Sequence, residues 1–304
     1  MQLPKQVTLK EVGPRDGLQN EKVHMVTVDK VQLVDLLSKT GLHYIEVTSF
    51  VHPKWIPQLA DAAEVLQAIK REKNCTYAAL IPNIRGLERA LQVNVDEASV
   101  FMSASESHNQ NNINKSINET FPVLKEVVLE AKSAGKQVRG YISTVIGCPY
   151  EGYIQPEQVL RVVEKYLEMG IAEISLGDTI GVAVPTQVEH LLEELFKRYP
   201  AEIFAMHFHD TRGTALANIM KSMKMGITKF DSAVGGLGGC PYAKGASRNV
   251  ATEDLVYLLN SMGIHTGIEM NALLEAATFV EQKLGKPVAS KQMAIVRNER
   301  SSQP

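Results

Sequence analysis

Two histidines, one residue apart, are the side chains of this sequence with the most direct chemical use. His207 and His209 lie in the stretch AMHFHDTRG at residues 205–213, at the end of an apolar run that begins at Ile203. Such a run predicts a buried strand, on which alternate side chains share one face, roughly 6 to 7 Å apart at Cα. The pair can therefore fill two neighbouring positions around one divalent ion. Two histidines satisfied by hydrogen bonds in a core are the alternative, and the pair alone does not exclude it.

A glycine-rich segment offers a second candidate, a thiol. Residues 235–245 contain five glycines, and Cys240 lies among them. This composition allows sharp bends and a close approach to a ligand, as a lid requires. Cys240 becomes reactive if the rim of a cationic site lowers its pKa, and an incidental loop thiol is the alternative. Cys75, which opens an apolar strand, and Cys148, before Pro149, are most simply structural.

The elements that must position these residues alternate between strands and helices. Eight apolar or β-branched runs predict strands. They are residues 7–12, 44–50, 76–81, 97–103, 137–145, 173–177, 203–209 and 229–233. Stretches with apolar residues at helical spacing lie between them. They are residues 28–40, 61–72, 84–92, 120–134, 155–169, 186–199 and 214–225.

Local signals mark several ends of these elements. Four glycines stand where a left-handed helix cap is expected, at Gly41, Gly135, Gly170 and Gly226. After the last strand, residues 252–260 predict a helix that Thr252 caps, and residues 269–284 predict one further helix before a polar tail that frays. Residues 105–118 are polar and are expected to form a solvated connection before a helix that Ser116 and Glu119 cap.

Eight strand and helix units in strict alternation predict an α/β fold. We expect a single (β/α)8 TIM barrel over residues 1–304, with a core of about residues 6–284 and an additional C-terminal helix. An open doubly wound sheet is the alternative. It usually carries a glycine-rich phosphate turn after its first strand, and the sequence GPRDG after Val12 lacks that fingerprint.

Closure of a barrel collects polar residues at the carboxyl ends of its strands. Asp16 follows the first strand and lies two strands away from His207 and His209, roughly 10 Å between backbones, which side chains can bridge through one ion. One carboxylate and two imidazoles suit Mg2+, Mn2+ or Fe2+, whereas Zn2+ is the commoner ion in two-histidine sites. The same strand ends carry Arg15, Glu46, Thr48, Ser49, Ser103, Ser105, Ser143, Thr144, Ser175 and Asp178.

Composition narrows the class of partner. The 32 Lys and Arg against 34 Asp and Glu create no field that would favour nucleic acid or an anionic membrane. No apolar run is long enough to span a bilayer, and no targeting peptide is expected before the first strand. Three widely spaced cysteines indicate reduced thiols in the cytoplasm. These features predict a cytoplasmic protein with a small-molecule partner.

Five motifs together resemble hydroxymethylglutaryl-CoA lyase, from the superfamily of metal-dependent TIM-barrel lyases and synthases. They are VGPRDGLQNE at residues 12–21, IEVTSF at 45–50, SLGDTIG at 175–181, HFHDTRG at 207–213 and GLGGCP at 236–241. The arginine-aspartate motif and the histidine pair also fit isopropylmalate and homocitrate synthases. The glycine loop with its cysteine is the part that resembles the lyases, and the likeness extends over about residues 8–284.

The resemblance implies a ligand set for Mg2+ or Mn2+: Asp16, His207, His209 and Asn249. It implies further functional residues around an acyl-CoA substrate: Arg15, Glu46, Asp178 and Cys240. Where the family pattern has a glycine before the asparagine, this chain has Arg248. A homo-oligomer, most simply a dimer, is expected.

The implied activity is cleavage of (S)-3-hydroxy-3-methylglutaryl-CoA to acetyl-CoA and acetoacetate, a step of leucine catabolism and ketone-body formation. A divalent cation would lower the pKa of the substrate hydroxyl, and Arg15 would face the thioester and stabilise the enolate. Cys240 or His207 would then protonate the enolate. A lyase or synthase acting on a related 3-hydroxyacyl-CoA or 2-oxoacid, and a barrel that only binds metal and ligand, are the alternatives.

Overall fold

Eight parallel strands close on themselves into a barrel in the computed structural model, which describes residues 3–238 and 248–302. The barrel strands are β1 (Thr8–Glu11), β2 (Tyr44–Ser49), β3 (Thr76–Leu80), β4 (Glu97–Ser103), β5 (Gln137–Ser143), β8 (Glu173–Asp178), β9 (Phe204–Phe208) and β10 (Lys229–Ser232). A short antiparallel hairpin, β6 (Gly147–Cys148) with β7 (Gly152–Tyr153), follows β5. Because β1 pairs with both β10 and β2, the predicted closed barrel is confirmed and the open sheet is excluded.

Helices follow the strands and cover the barrel. They are α1 (Thr27–Ser38), α2 (Ala62–Ala68), α3 (Ile84–Gln92), α4 (Glu106–Ile113), α5 (Ile117–Ser133), α6 (Pro156–Glu168), α7 (Pro185–Phe196), α8 (Ala215–Lys224), α9 (Thr252–Ser261), α10 (Met270–Leu284) and α11 (Lys291–Ser301). The four glycines predicted as left-handed caps all have positive φ, between 72° and 106°. None of the helices in the described ranges has both the length and the apolar character needed to cross a membrane.

The sequence predictions for two helical segments are wrong, and Thr252, predicted to cap α9, is instead the first residue of that helix, after the N-cap residue Ala251. The segment expected to be a solvated connection contains α4, which Ser105 caps by accepting a hydrogen bond from the backbone N–H of His108, at 3.0 Å. His108 and Asn109 are buried, and Asn109 Nδ2 donates to Thr120 Oγ1 at 2.8 Å, so polar side chains here hold the helix in place. The capping box of Ser116 and Glu119 on α5 is confirmed.

The tail expected to fray contains a second C-terminal helix, α11. Ser290 caps it by accepting a hydrogen bond from the backbone N–H of Met293, at 3.2 Å. Met293 is the residue of α11 that is buried in the core. With one buried apolar residue, α11 does not show the repeat of apolar residues at helical spacing by which a helix is predicted from sequence.

Candidate metal centre

Three side chains predicted to bind metal meet at the carboxyl ends of the strands. The Nε2 atoms of His207 and His209 lie 3.1 Å apart, and Asp16 Oδ2 lies 3.9 Å from the first and 3.8 Å from the second. All three residues are buried, and one donor atom from each lies within 4.8 Å of the others. This spacing suits a single divalent ion bound by a carboxylate and two imidazoles.

The turn that directly follows β1 brings Asp16 to this position. Residues Gly13–Gly17 form a five-residue helical turn in which the Asp16 backbone N–H donates to the Val12 carbonyl at 2.7 Å. Gln19 Nε2 donates to Asp16 Oδ1 at 3.0 Å. Burial opposes ionisation of Asp16, but Arg15 and the two histidines outweigh it and hold the pKa of Asp16 well below its usual range. Asp16 is therefore an anion over the physiological range of pH.

Arg15 is fixed by two carboxylates. Its Nε donates to Glu46 Oε2 at 2.5 Å, and its Nη1 donates to Asp16 Oδ1 at 2.6 Å. The guanidinium lies over the ring of Tyr141, 5.4 Å from the centroid. Burial lowers the pKa of Arg15, but the charges of Glu46 and Asp16 outweigh that effect and raise it. The result is a buried, permanently charged and oriented cation beside the metal ligands.

His207 is oriented by a carboxylate that the sequence analysis did not select. Its Nδ1 lies 3.2 Å from Asp231 Oδ2, which also accepts a hydrogen bond from Ser175 Oγ at 2.7 Å. Arg139 Nη2 donates to Asp231 Oδ1 at 2.7 Å. Burial opposes ionisation of Asp231, but Arg139 and His207 outweigh it and lower its pKa. Because an ionised carboxylate can only accept hydrogen bonds, it orients Nδ1 of His207 as a donor, and Nε2 is the ring nitrogen that faces His209 and Asp16.

Asn249 stands beside the same three residues. His209 and Asn249 form an isolated antiparallel bridge between the end of β9 and the chain after the glycine-rich segment. The Nδ2 of Asn249 donates to Asp16 Oδ2 at 2.8 Å and to the Leu237 carbonyl at 2.9 Å. Its predicted role as a ligand would use the amide oxygen. Arg248 is exposed, and its carbonyl accepts a hydrogen bond from the backbone N–H of Asp210.

The other predicted site residues occupy different positions. Glu46, on β2, is fully buried, and among the described residues its Oε1 has no hydrogen-bond partner. Asp178, at the end of β8, accepts hydrogen bonds from the backbone N–H groups of Val182 and Ala183, both at 3.0 Å, and so shapes the loop after β8. Burial raises the pKa of Asp178. Cys240 lies outside the described residues.

A cavity of about 470 Å³ opens onto the centre. Its lining includes the polar residues Arg15, Asp16, His207 and His209. It also includes the apolar residues Val51, Trp55, Leu80, Phe101 and Ile113. An apolar cavity with a few convergent polar groups is typical of a site for a small organic ligand.

The fold and the site thus define a (β/α)8-barrel protein with a candidate divalent-metal centre at the carboxyl ends of its strands. The family model described as HMGL-like matches residues 6–280, and the chain belongs to this family.

Two curated relatives are similar over almost their whole length. Hydroxymethylglutaryl-CoA lyase YngG of Bacillus subtilis is 57% identical over 298 residues, which cover 98% of this chain and 100% of the relative. The 3-hydroxy-3-isohexenylglutaryl-CoA/hydroxy-methylglutaryl-CoA lyase of Pseudomonas aeruginosa is 52% identical over 291 residues, which cover 96% and 97% of the two chains.

Solved structures agree in fold. The crystal structure of the B. subtilis HMG-CoA lyase matches with a TM-score of 0.96 at 57% identity, over 98% of this chain and 100% of that chain. An HMG-CoA lyase from Acinetobacter baumannii, in complex with coenzyme A and 3-methylmalate, matches with a TM-score of 0.92 at 39% identity over 95% of both chains.

Proposed function

We propose that this protein cleaves 3-hydroxy-3-methylglutaryl-CoA to acetyl-CoA and acetoacetate. The observation that carries the proposal is the meeting of Asp16, His207 and His209 with the guanidinium of Arg15 at one cavity. The close similarity to lyases named for this substrate supports it. The substrate class is an acyl-CoA thioester with a hydroxyl group on the third carbon.

The reaction breaks the bond between C2 and C3 of the substrate. The tertiary hydroxyl loses its proton to water or to a base of the site, C3 becomes the ketone carbon of acetoacetate, and the electron pair passes to the thioester as an enolate. A divalent ion, for which we propose Mg2+ or Mn2+, would lower the pKa of that hydroxyl when bound. Asp16, His207, His209 and the amide oxygen of Asn249 would hold the ion.

Arg15 supplies the charge that the enolate needs. Two of its five N–H donors are used in the ion pairs with Glu46 and Asp16, and the guanidinium lines the cavity. Its position is set before substrate arrives, so stabilising a new negative charge on the thioester oxygen requires no reorganisation. Loss of one such donor typically costs about 3 to 4 kcal/mol of transition-state stabilisation.

An acid must return a proton to C2 to complete acetyl-CoA. We propose Cys240 for this step, with His207 as the second candidate, because a thiol in a glycine-rich segment can approach a bound ligand closely. We propose that Glu46 and Asp178 act indirectly, through their neighbours. Glu46 orients Arg15, and Asp178 holds the loop after β8 in place.

The direct test is an assay of acetyl-CoA release from 3-hydroxy-3-methylglutaryl-CoA, before and after removal of metal with a chelator. We expect chelation to abolish turnover and Mg2+ or Mn2+ to restore it. His209→Ala should lose most turnover at limiting metal and regain part of it at high metal concentration, because it removes one ligand. Full turnover by the chelated protein would contradict the proposed role of the metal.

Three broader expectations stay proposals with tests of their own. We propose a homodimer, which light scattering would measure. We propose a cytoplasmic location, which cell fractionation would measure. We propose that residues 1–304 form a single domain, which predicts one cooperative transition in calorimetry.

A further inference from the structure

Glu11, the last residue of β1, has a carboxylate that joins three separate segments. Its Oε1 accepts hydrogen bonds from the backbone N–H groups of Gly13, at 2.7 Å, and Val234, at 2.9 Å. Its Oε2 accepts a hydrogen bond from Thr252 Oγ1 at 2.7 Å. The side chain is fully buried. It therefore links the turn after β1, the chain after β10 and the start of α9.

The turn that carries Arg15 and Asp16 begins directly at this carboxylate. A Cβ atom added to Gly13 would lie 2.5 Å from Glu11 Oε1, so a glycine is needed for the main chain to come this close. Asp16 follows three residues later in the same tight turn. Only Pro14 and Arg15 separate Gly13 from Asp16, so we expect a shift of Gly13 to displace Asp16 as well.

The chain after β10 is held from two sides. The N–H of Val234 donates to Glu11, and the next N–H, that of Gly235, donates to both carboxylate oxygens of Glu253 at 2.9 and 3.0 Å. Glu253 is also fully buried. Two carboxylates thus fix two consecutive backbone amides.

This segment reaches the metal centre through Leu237. A Cβ atom added to Gly17 would lie 2.6 Å from Leu237 Cβ, so Leu237 packs directly on the turn. The carbonyl of Leu237 accepts a hydrogen bond from Asn249, which also donates to Asp16. Two of the three segments that Glu11 joins, the turn after β1 and the chain after β10, therefore meet again at Asp16.

The surroundings of Glu11 suit a neutral carboxylic acid. Burial outweighs the three hydrogen bonds and raises the pKa of Glu11 from 4.5 to about 7. When protonated, Oε2 can donate to Thr252 Oγ1, and the Thr252 hydroxyl can then donate its own hydrogen bond to Ser232 Oγ, which lies 2.9 Å away. A glutamine has nearly the same shape as this neutral acid: its amide oxygen can accept both backbone hydrogen bonds, and its NH2 group can donate to Thr252 in place of the acid O–H.

We propose that Glu11 is a positioning residue, which holds the turn bearing Arg15 and Asp16 against the Val234–Gly236 segment and so fixes the geometry of the metal centre. The inference rests on the proposed metal centre but not on the identity of the substrate. A shift of Asp16 by a fraction of an ångström would weaken metal binding and displace Arg15 at the same time.

Binding of Mn2+, followed by electron paramagnetic resonance in the absence of substrate, tests this inference. Glu11→Gln should keep Mn2+ affinity within about twofold of the wild-type value, because the amide oxygen still accepts both backbone bonds. Glu11→Leu should weaken Mn2+ binding by about tenfold or more, as supporting residues of metal sites usually do. Glu11→Asp, shorter by one methylene, cannot reach both backbone amides and should behave as Glu11→Leu does, which keeps the test decisive if the leucine variant does not fold.

Glu253→Leu is the matched control, since it removes a buried carboxylate from the neighbouring amide without touching Gly13. This variant should lose folding stability but keep its Mn2+ affinity within about threefold of the wild-type value. That change is smaller than the roughly tenfold or greater loss of affinity expected when a residue that supports metal ligands is removed. Wild-type Mn2+ affinity in a folded Glu11→Leu or Glu11→Asp variant would overturn the inference, as would equal losses in the Glu11 and Glu253 variants. Mn2+ binding by the wild type without cleavage of 3-hydroxy-3-methylglutaryl-CoA would refute the proposed substrate alone, and absence of Mn2+ binding would refute both.

Discussion

We expect Arg15 to contribute both to folding stability and to catalysis. A second substitution, at its ion-pair partner Glu46, allows the two contributions to be measured separately. Arg15→Gln removes the cation that pairs with Glu46, whose second carboxylate oxygen already lacks a hydrogen-bond partner within the described part of the chain. Leaving one member of a buried ion pair alone costs about 3 to 5 kcal/mol of folding free energy. We expect Arg15→Gln to lower the free energy of unfolding by that order and kcat by about a hundredfold or more.

The double variant Arg15→Gln with Glu46→Gln isolates the chemical role. Neutralising Glu46 removes the unpaired buried charge, so most of the lost stability should return, while kcat should stay low because no cation faces the enolate. The site should keep most of its metal affinity, because the three candidate ligands Asp16, His207 and His209 are all retained. These quantities are measured on four proteins: the wild type, the two single variants and the double variant. Denaturant unfolding gives the folding stability, steady-state kinetics gives kcat, and Mn2+ titration gives the metal affinity.

Recovery of both turnover and folding stability in the double variant would refute a chemical role for Arg15. If the double variant regains turnover together with stability, Arg15 is only the structural partner of Glu46. If Arg15→Gln loses metal affinity by as large a factor as it loses kcat, its effect acts through Asp16 and the electrostatic role is wrong.

Three further predictions concern the neighbours of the centre. Asp231→Asn should weaken Mn2+ binding by about ten- to a hundredfold, because His207 loses the carboxylate that orients it. Ser175→Ala leaves the contact between Asp231 and His207 in place and should weaken Mn2+ binding by a smaller factor. Equal Mn2+ affinities in the wild type and the two variants would show that Asp231 does not orient His207. Burial raises the pKa of Glu253 from 4.5 to about 8, so its contribution to stability is present below pH 4.5 and is lost as pH rises through 8. The unfolding temperature, measured from pH 5 to 9, should therefore depend less on pH in Glu253→Gln than in the wild type. The same slope of unfolding temperature against pH in both proteins would contradict this role of Glu253. Cys240→Ser should lower kcat by a factor on the order of a hundred to ten thousand with Mn2+ affinity unchanged, and a variant with wild-type turnover would pass proton delivery to His207.

Much of the fold could be predicted because its signals are local. Most barrel strands contain a short apolar or β-branched run, and the glycines at helix ends, such as Gly170, have the left-handed backbone expected there. The histidine pair could be found because alternate residues on a strand share a face. Asp16 could be joined to it because closure of the barrel brings the first and last strands together.

The supporting residues could not be predicted, because their partners are distant in the sequence. Arg139 and Asp231 form a fully buried ion pair across 92 positions, and they lie in two different barrel strands. A charge within an apolar strand signals that some partner exists, but only the barrel geometry shows which one. Glu11 was hidden in the same way, since two of its three contacts lie more than 220 positions away.

Nuclear magnetic resonance of the products formed in D2O with Mg2+ shows whether this site breaks the C2–C3 bond of 3-hydroxy-3-methylglutaryl-CoA. We expect acetoacetate and acetyl-CoA in equal amounts at early times, with one deuterium in the acetyl methyl group, because the enolate takes a single proton from a solvent-exchanged acid. Free coenzyme A with intact 3-hydroxy-3-methylglutarate would show thioester hydrolysis instead and would rule out cleavage of this bond.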